Sequence, residues 1–349
     1  MLVGLSPEQL REWVQATLDA PAYRGAQLAQ WIYEKAAADF DAMTNLPTAL
    51  RARLREVAVV SPNALSAVQR SKDGTVKCLL RLADANEVEC VLLPYADRVS
   101  VCLSTQVGCP MGCRFCATAQ GGYTRNLTAG EIVDQLLHLQ RLSERRVSHV
   151  VLMGMGEPLL NLENALAALR LIHDALGISY RRMTVSTVGI VPKIYALAQQ
   201  QLPITLAVSL HAPDDETRAK IMPVNRKWGV DTLIQAARDY FEQTRRRITF
   251  EYLLLRTVND TPDHAQQLAH KLRGVPCLVN LIPFNYVPTP DAFQRPDAAR
   301  VRQFRAILDA SGIETTQRVE RGHDIDAACG QLRGKHLGKP IPLLTQAKQ

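Results

Sequence analysis

No apolar run in the 349 residues is long enough to cross a bilayer. The start, MLVGLSPEQLREW, lacks the basic segment and apolar stretch of a secretion signal. A cytoplasmic protein is therefore expected, with no membrane partner. Its eight cysteines then read as thiols or metal ligands, not as a disulfide scaffold. Low-complexity segments and repeats of fixed short period are absent, which excludes a solenoid or a disordered linker. A second CxxC pair is missing too, and a structural zinc site would want four protein ligands.

Basic residues outnumber acidic ones, 41 to 34, giving a net charge of +7 and a pI of about 9.0. An anionic partner fits, nucleic acid first, although a mildly basic soluble enzyme has the same balance. Hydrophobic residues make up 47% of the chain, enough for a sizeable core.

Patterning divides the chain. Residues 1–56 read as a small helical module, opened by Ser6 as N-cap with Pro7 at the first helical position. Residues 57–97 read as a β-meander linker, with Asp73–Gly74 at a hairpin turn. From residue 98 to 317 strand and helix alternate through six βα units, and Thr128 and Glu131 form a capping box before one helix. Six units predict parallel strands and an α/β fold, either an open sheet or a barrel short of the eight units that close one. Residues 318–349 read as a flexible loop and tail. In either architecture the active site lies at the carboxyl ends of the strands. The polar loops CPMGCRFCATAQ, GMGEPLLN, STVG, SLHAPDD and PFN collect there.

Within CPMGCRFC, Cys109, Cys113 and Cys116 are spaced C-x3-C-x2-C in a loop after the first strand of the array. Iron–sulfur ligation is favoured over zinc or buried structural cysteines, because the loop offers three thiols, no fourth ligand and little core. Three thiolates leave one iron of a 4Fe-4S cluster open to a substrate. Cys78, Cys90 and Cys277 lie in apolar strands and read as small core residues.

The triplet, with aromatic Phe115 before its last cysteine, resembles the CxxxCxΦC signature of the radical S-adenosylmethionine (SAM) superfamily. The stretches STQVGCPMGCRFCAT, RNLTAGEI, GMGEPLLN, SLHAPDD and RGHDIDAACGQL, with YRGAQLAQWIYEK and FDAMTNLP, closely resemble the RlmN/Cfr family of RNA adenine methyltransferases. The resemblance runs over essentially the whole chain. It implies a partial (β/α)6 radical SAM barrel with a helical accessory domain that recognises RNA. It further implies one 4Fe-4S cluster on Cys109, Cys113 and Cys116, and two SAM molecules per turnover. SAM contacts would fall on Gly156, Glu157, Ser186, Ser209, Leu210, His211 and Asn285. Where the family often has a second serine, STVG has Val188, so only a backbone contact is expected there.

By the same resemblance, Cys329 accepts a methyl group, Cys102 resolves the protein–RNA adduct through a transient disulfide, and Glu89 accepts a proton. Adenine C2 is electron-poor and cannot attack SAM's methyl directly, which is what such a relay answers. The implied substrates are an adenine of 23S rRNA in the peptidyl-transferase centre and the adenine 3′ to the anticodon of tRNA, both methylated at C2. A flavodoxin- or ferredoxin-like electron donor and a monomeric enzyme are expected. Arg318, Arg321, Arg333, Lys335 and Lys339 around Cys329 are expected to hold phosphates. Two alternatives stand beside this reading: C8 methylation, disfavoured by Val107 and the intact N-terminal module, and a non-catalytic iron–sulfur or zinc RNA-binding protein. Read from residues alone, Glu89 could face solvent and His211 could be a satisfied core histidine.

Overall fold

The computed structural model describes residues 1–287 and 291–332. Helix α1 (Pro7–Leu18) starts on Ser6, which forms a full capping box with Gln9, and buries Leu10, Val14 and Leu18 at helical spacing. Helix α2 (Tyr23–Ala29) runs on into a π-helical turn, Gln30–Glu34. Gly25 lets α2 lie directly on α1, since a Cβ there would sit 2.4 Å from the Arg11 Cα. Helix α3 (Thr48–Val57) completes the module and buries Leu50 and Leu54.

Strands β1 (Ala64–Arg70), β2 (Val76–Arg81) and β3 (Glu87–Pro94) form the antiparallel meander, with Cys78 directly opposite Cys90. Gly74, at φ +84°, makes the first turn as expected. The meander is more than a linker. β3 pairs antiparallel with β4 (Val99–Cys102), Val91 opposite Cys102, so three antiparallel strands extend one ten-stranded sheet. Two short strands, β5 (Gln106–Gly108) and β6 (Tyr123–Asn126), form a separate ribbon. Helix α4 (Ala117–Gln120) lies between them, and neither it nor the ribbon was evident from periodicity.

The parallel part of the sheet continues through β7 (His149–Leu152), β8 (Met183–Thr187), β9 (Thr205–Ser209), β10 (Ile248–Leu254), β11 (Cys277–Pro283) and β12 (Thr315–Gln317). All neighbours from β4 to β12 pair in parallel. The connections carry α5 (Ala129–Arg141), α6 (Leu162–Leu176), α7 (Val191–Ala198), α8 (Asp215–Ile221), α9 (Val230–Thr244), α10 (Pro262–Lys271) and α11 (Ala298–Ala310). Thr128, Asp214, Thr261 and Asp297 cap four of them through their side chains. The strand order runs from β1 to β12 without the two edges meeting, so the described sheet is an open, partial barrel. Its strands are nearly all Val, Leu, Ile and Phe at the core, with Phe250, Tyr252 and Phe304 among the largest fully buried side chains. Cys78, Cys90 and Cys277 are buried as expected.

Candidate active site

At its carboxyl end β4 delivers Cys102, and the chain passes through β5 into the cysteine loop. The ribbon shapes that loop. Gly108 has φ +76°, and a Cβ on it would sit 2.0 Å from the Gly122 carbonyl oxygen, which accepts from the Cys109 N–H at 2.7 Å. The Cys116 N–H donates to the Cys113 carbonyl at 3.1 Å, and Arg114 anchors the loop to α8 through the Ile221 carbonyl at 3.0 Å and ion-pairs with Asp291. Burial pushes the Cys109 thiol up to about 12, and charge on the neighbouring Cys116 and Glu157 adds to that. Cys113 is raised well above the thiol range, by burial first and then by Cys116 and Cys109.

Cys109 and Cys113, costly to ionise alone, sit in one loop with Cys116, and three soft donors of this kind fit a cationic iron–sulfur group that favours their thiolates. Among the described residues no three His, Cys, Asp or Glu side chains converge as ligands of one metal ion do. Thiolates at three corners of a cluster have no need to converge.

GMGEP, after β7, closes over the same loop. The Gly156 N–H lies against the Cys109 sulfur. Gly156, at φ +104°, leaves no room for a Cβ, which would meet the Gln106 side chain at 2.6 Å. Glu157 is buried, and its carboxylate braces two loops, accepting from the Leu159 N–H at 3.0 Å and the Val188 N–H at 2.8 Å. Burial raises its pKa to about 7. The Thr187 side chain adds a third hydrogen bond, and a carboxylate with about four acceptor sites still has capacity for an ammonium group. The Val188 N–H, expected to contact SAM, here donates to Glu157.

Ser186 lies half-buried on β8 beside Ala207, and Ser209 ends β9 opposite Glu251. His211 is buried at φ +59°. Its Nδ1 accepts from the Leu253 N–H at 2.9 Å, and its ring stands edge-on to Phe115, centroids 5.1 Å apart. Burial, then the nearby Arg218, drives its pKa down to about 3. The side chain is buried and neutral and stands against the cysteine loop through Phe115.

Cys102, Cys116, Met153, Asn285, Arg318 and Cys329 line one cavity of about 110 Å³. The Asn285 Oδ1 is buried there with no hydrogen-bond partner. Cys102 is pushed up to about 12 by burial and by Cys329, with Arg318 pulling it back. Cys329 is likewise raised by burial and lowered by Arg318. All eight cysteines are free thiols.

The segment carrying Cys329 is pinned where a flexible loop was expected. The Gly330 carbonyl accepts from the Ala117 N–H at 2.7 Å, and the Leu332 carbonyl from the Thr118 hydroxyl at 2.6 Å. Gln331 reaches the Tyr286 carbonyl at 2.9 Å. Arg318 sits inside the cavity, 3.9 Å from Glu251, beside both thiols. Arg333, Lys335 and Lys339 lie outside the described residues.

Glu89 is buried rather than facing solvent. Alternation along β3 puts it on the face of Val91 and Leu93, two cavity-lining residues. Lys77 pairs with its carboxylate at 3.3 Å and donates to the Asp326 carbonyl at 3.2 Å, tying Glu89 to the Cys329 segment.

The residue most clearly missed is Arg218. It is fully buried in α8 and binds the carbonyls of Val188 (2.7 Å), Ser209 (3.0 Å) and Leu210 (2.9 Å), and the Asn225 Oδ1 (3.0 Å). It ties together the ends of β8 and β9 beside Cys113. Within DDETRAK it reads as one charge on a solvated helix.

An open parallel sheet with a three-cysteine loop after its first parallel strand defines a radical SAM fold. Residues 103–269 match the Radical SAM superfamily, and residues 1–60 match the Ribosomal RNA large subunit methyltransferase N-terminal domain. The crystal structure of a radical SAM methyltransferase from Sphaerobacter thermophilus superposes with a TM-score of 0.92, at 45% identity over 96% of this chain and 99% of that one. A probable dual-specificity RNA methyltransferase RlmN of Symbiobacterium thermophilum is 50% identical, over 97% of this chain and 93% of its own. The protein of that name from Rhodopirellula baltica is 48% identical, over 95% and 90%. This chain belongs to the RlmN family. Among the described residues no helix is long and apolar enough to cross a membrane.

Proposed function

We propose that this protein is a cytoplasmic, monomeric RNA methyltransferase acting on C2 of an adenine in 23S rRNA, at the peptidyl-transferase centre, and of the adenine 3′ to the anticodon in tRNA. The observation that carries this reading is the shared cavity of Cys102 and Cys329, bordered by Cys116 of the cysteine loop. Mere RNA binding needs neither thiol. Held by Cys109, Cys113 and Cys116, a 4Fe-4S cluster would supply one-electron reduction of SAM, using an electron from a flavodoxin- or ferredoxin-like donor.

The chain's own residues do the rest. Gly156, Glu157, Ser186, Ser209, Leu210 and Asn285 hold SAM, and the unpartnered Asn285 Oδ1 is the clearest vacancy for a donor. His211 joins them in holding SAM and stands against Phe115 of the cysteine loop. The Cys329 Sγ takes a methyl group from one of two SAM molecules, helped by the Arg318 charge that favours its thiolate. That methyl group gives up one hydrogen atom to the radical that reductive SAM cleavage would supply, and its carbon then bonds to C2. Glu89 receives the C2 proton, and the adduct gives up one electron to restore the aromatic ring. The Cys102 Sγ then bonds to the Cys329 Sγ, the carbon leaves with the Cys102 thiol proton as the new methyl group, and the resulting disulfide is reopened by a cellular thiol. Residues 1–56 serve as the RNA-recognising accessory domain, 98–317 as the radical SAM core and 318–349 as the segment that presents Cys329.

Mass spectrometry of nucleosides from RNA incubated anaerobically with enzyme, SAM and reductant tests the reading. 2-Methyladenosine is expected. 8-Methyladenosine would transfer the protein to the C8 branch, and no methylated adenosine would overturn the enzyme.

A further inference from the structure

Just past β3, Tyr95 carries two guanidinium groups. The Cζ atoms of Arg98 and Arg321 each lie 4.4 Å from its ring centroid. Both guanidinium groups lie within cation–π range of the one ring. Arg98 belongs to the same turn, whereas Arg321 comes from the segment that carries Cys329. The Tyr95 backbone carbonyl accepts from Arg145 at 2.7 Å, which anchors this turn. Arg321 donates through Nη1 to the Asp73 carbonyl at 3.2 Å, and its Nε is buried without a partner. Tyr95 and Arg321 both line the cavity of Cys102 and Cys329. At its rim Val319 is 75% exposed, and nearby Tyr286 is 69% exposed.

A guanidinium seated over an aromatic ring can offer its outer face as a plane on which a nucleobase stacks. A base drawn out of an RNA stack for chemistry needs such a plane to replace the neighbours it left. The unpaired Nε–H gives that plane a donor edge, and a buried donor without an acceptor is costly until something fills it. We infer that Arg321, seated on Tyr95, is the stacking and hydrogen-bonding platform for the purine base that an RNA substrate delivers to the cavity. This rests on the RNA methyltransferase reading above and gives a particular residue pair the task of seating the base. A phosphate contact would need only the charge of Arg321, and neither the ring beneath it nor its planarity.

The test compares two fluorescent anticodon stem-loops, one with adenine 3′ to the anticodon and one abasic there, binding to the full-chain holoenzyme. For each protein the ratio of the two Kd values, abasic over adenine, is taken. The cost of extruding the nucleotide is common to all proteins and cancels between them. In Arg321→Lys, which keeps the charge and loses the plane, the ratio is expected to fall roughly tenfold or more, since stacking of one base on a side chain contributes that much. Tyr95→Leu, which removes the seat, should lower it likewise. A variant that merely loosens the fold or the electrostatics weakens both hairpins equally. Unchanged ratios in variants that still bind therefore overturn the platform alone. Wild-type protein that binds neither hairpin overturns it together with the RNA reading.

Discussion

Replacing Arg218 with methionine isolates the buried brace beneath the site. The guanidinium satisfies the carbonyls of Val188, Ser209 and Leu210, and methionine has similar length and no donor. A buried acceptor left without a donor costs about 1–3 kcal/mol, so three stranded carbonyls set a range of about 3–9 kcal/mol. Relaxation and entering water keep the loss near the low end, about 3–5 kcal/mol, in line with other broken buried networks. That is a large share of the roughly 5–15 kcal/mol that stabilises a domain. Urea unfolding of the cluster-free protein, followed by circular dichroism, should show Arg218→Met unfolding at clearly lower urea than wild type. Arg218→Lys, which keeps the charge and some donors, should fall between them. An Arg218→Met protein within about 1 kcal/mol of wild type would refute this reasoning, because wetting of the three carbonyls would then suffice.

Two other tests address the loops around the cysteines. Glu157 has a pKa raised to about 7 by burial, from 4.5 unfolded, so its contribution is fully present below pH 4.5 and is lost as pH rises through 7. Across that window wild-type protein without SAM should lose on the order of 3 kcal/mol relative to Glu157→Gln. Equal pH dependence of the two in urea unfolding would contradict the burial. Anaerobically purified wild type should carry close to four irons per chain, as a 4Fe-4S cluster requires. Alanine at Cys109, Cys113 or Cys116 should remove that iron and abolish SAM cleavage, and stoichiometric zinc without iron would contradict the ligand assignment.

Local signals were legible in the sequence. Ser6 with Gln9 and Thr128 with Glu131 are capping boxes written within four residues, and Asp73–Gly74 marks a turn that only nearby residues define. Alternating βα units also gave the parallel core, because each strand is a short apolar run with a helix to cover it. What escaped depends on partners far along the chain. β5 and β6 are too short for periodicity, and their pairing rests on Gly108 meeting Gly122. The meander joins the main sheet only because β3 meets β4. The segment 322–332 is polar and glycine-containing, so it reads as mobile, yet the bonds that fix it come from Ala117, Thr118 and Tyr286. Arg218, and the burial of Glu89, escaped for one reason: charge in a sequence implies solvent unless its distant partners are known. Cys109, Cys113 and Cys116 stand out by spacing alone, while Cys102 and Cys329, paired in the sequence only through the family resemblance, reach one cavity across more than two hundred residues through the fold.

The two-cysteine relay is tested most directly with Cys102→Ala. The side chain is small and buried, so its loss costs on the order of 1 kcal/mol and leaves the fold intact. The variant is incubated anaerobically with RNA, reductant and SAM labelled in its methyl group, then denatured and analysed for protein-bound RNA. A covalent protein–RNA species joined through Cys329 is expected, at no more than one per chain, carrying a SAM-derived carbon, and absent when Cys329 is also alanine. Normal turnover by Cys102→Ala, or an adduct formed by Cys329→Ala, would contradict the relay.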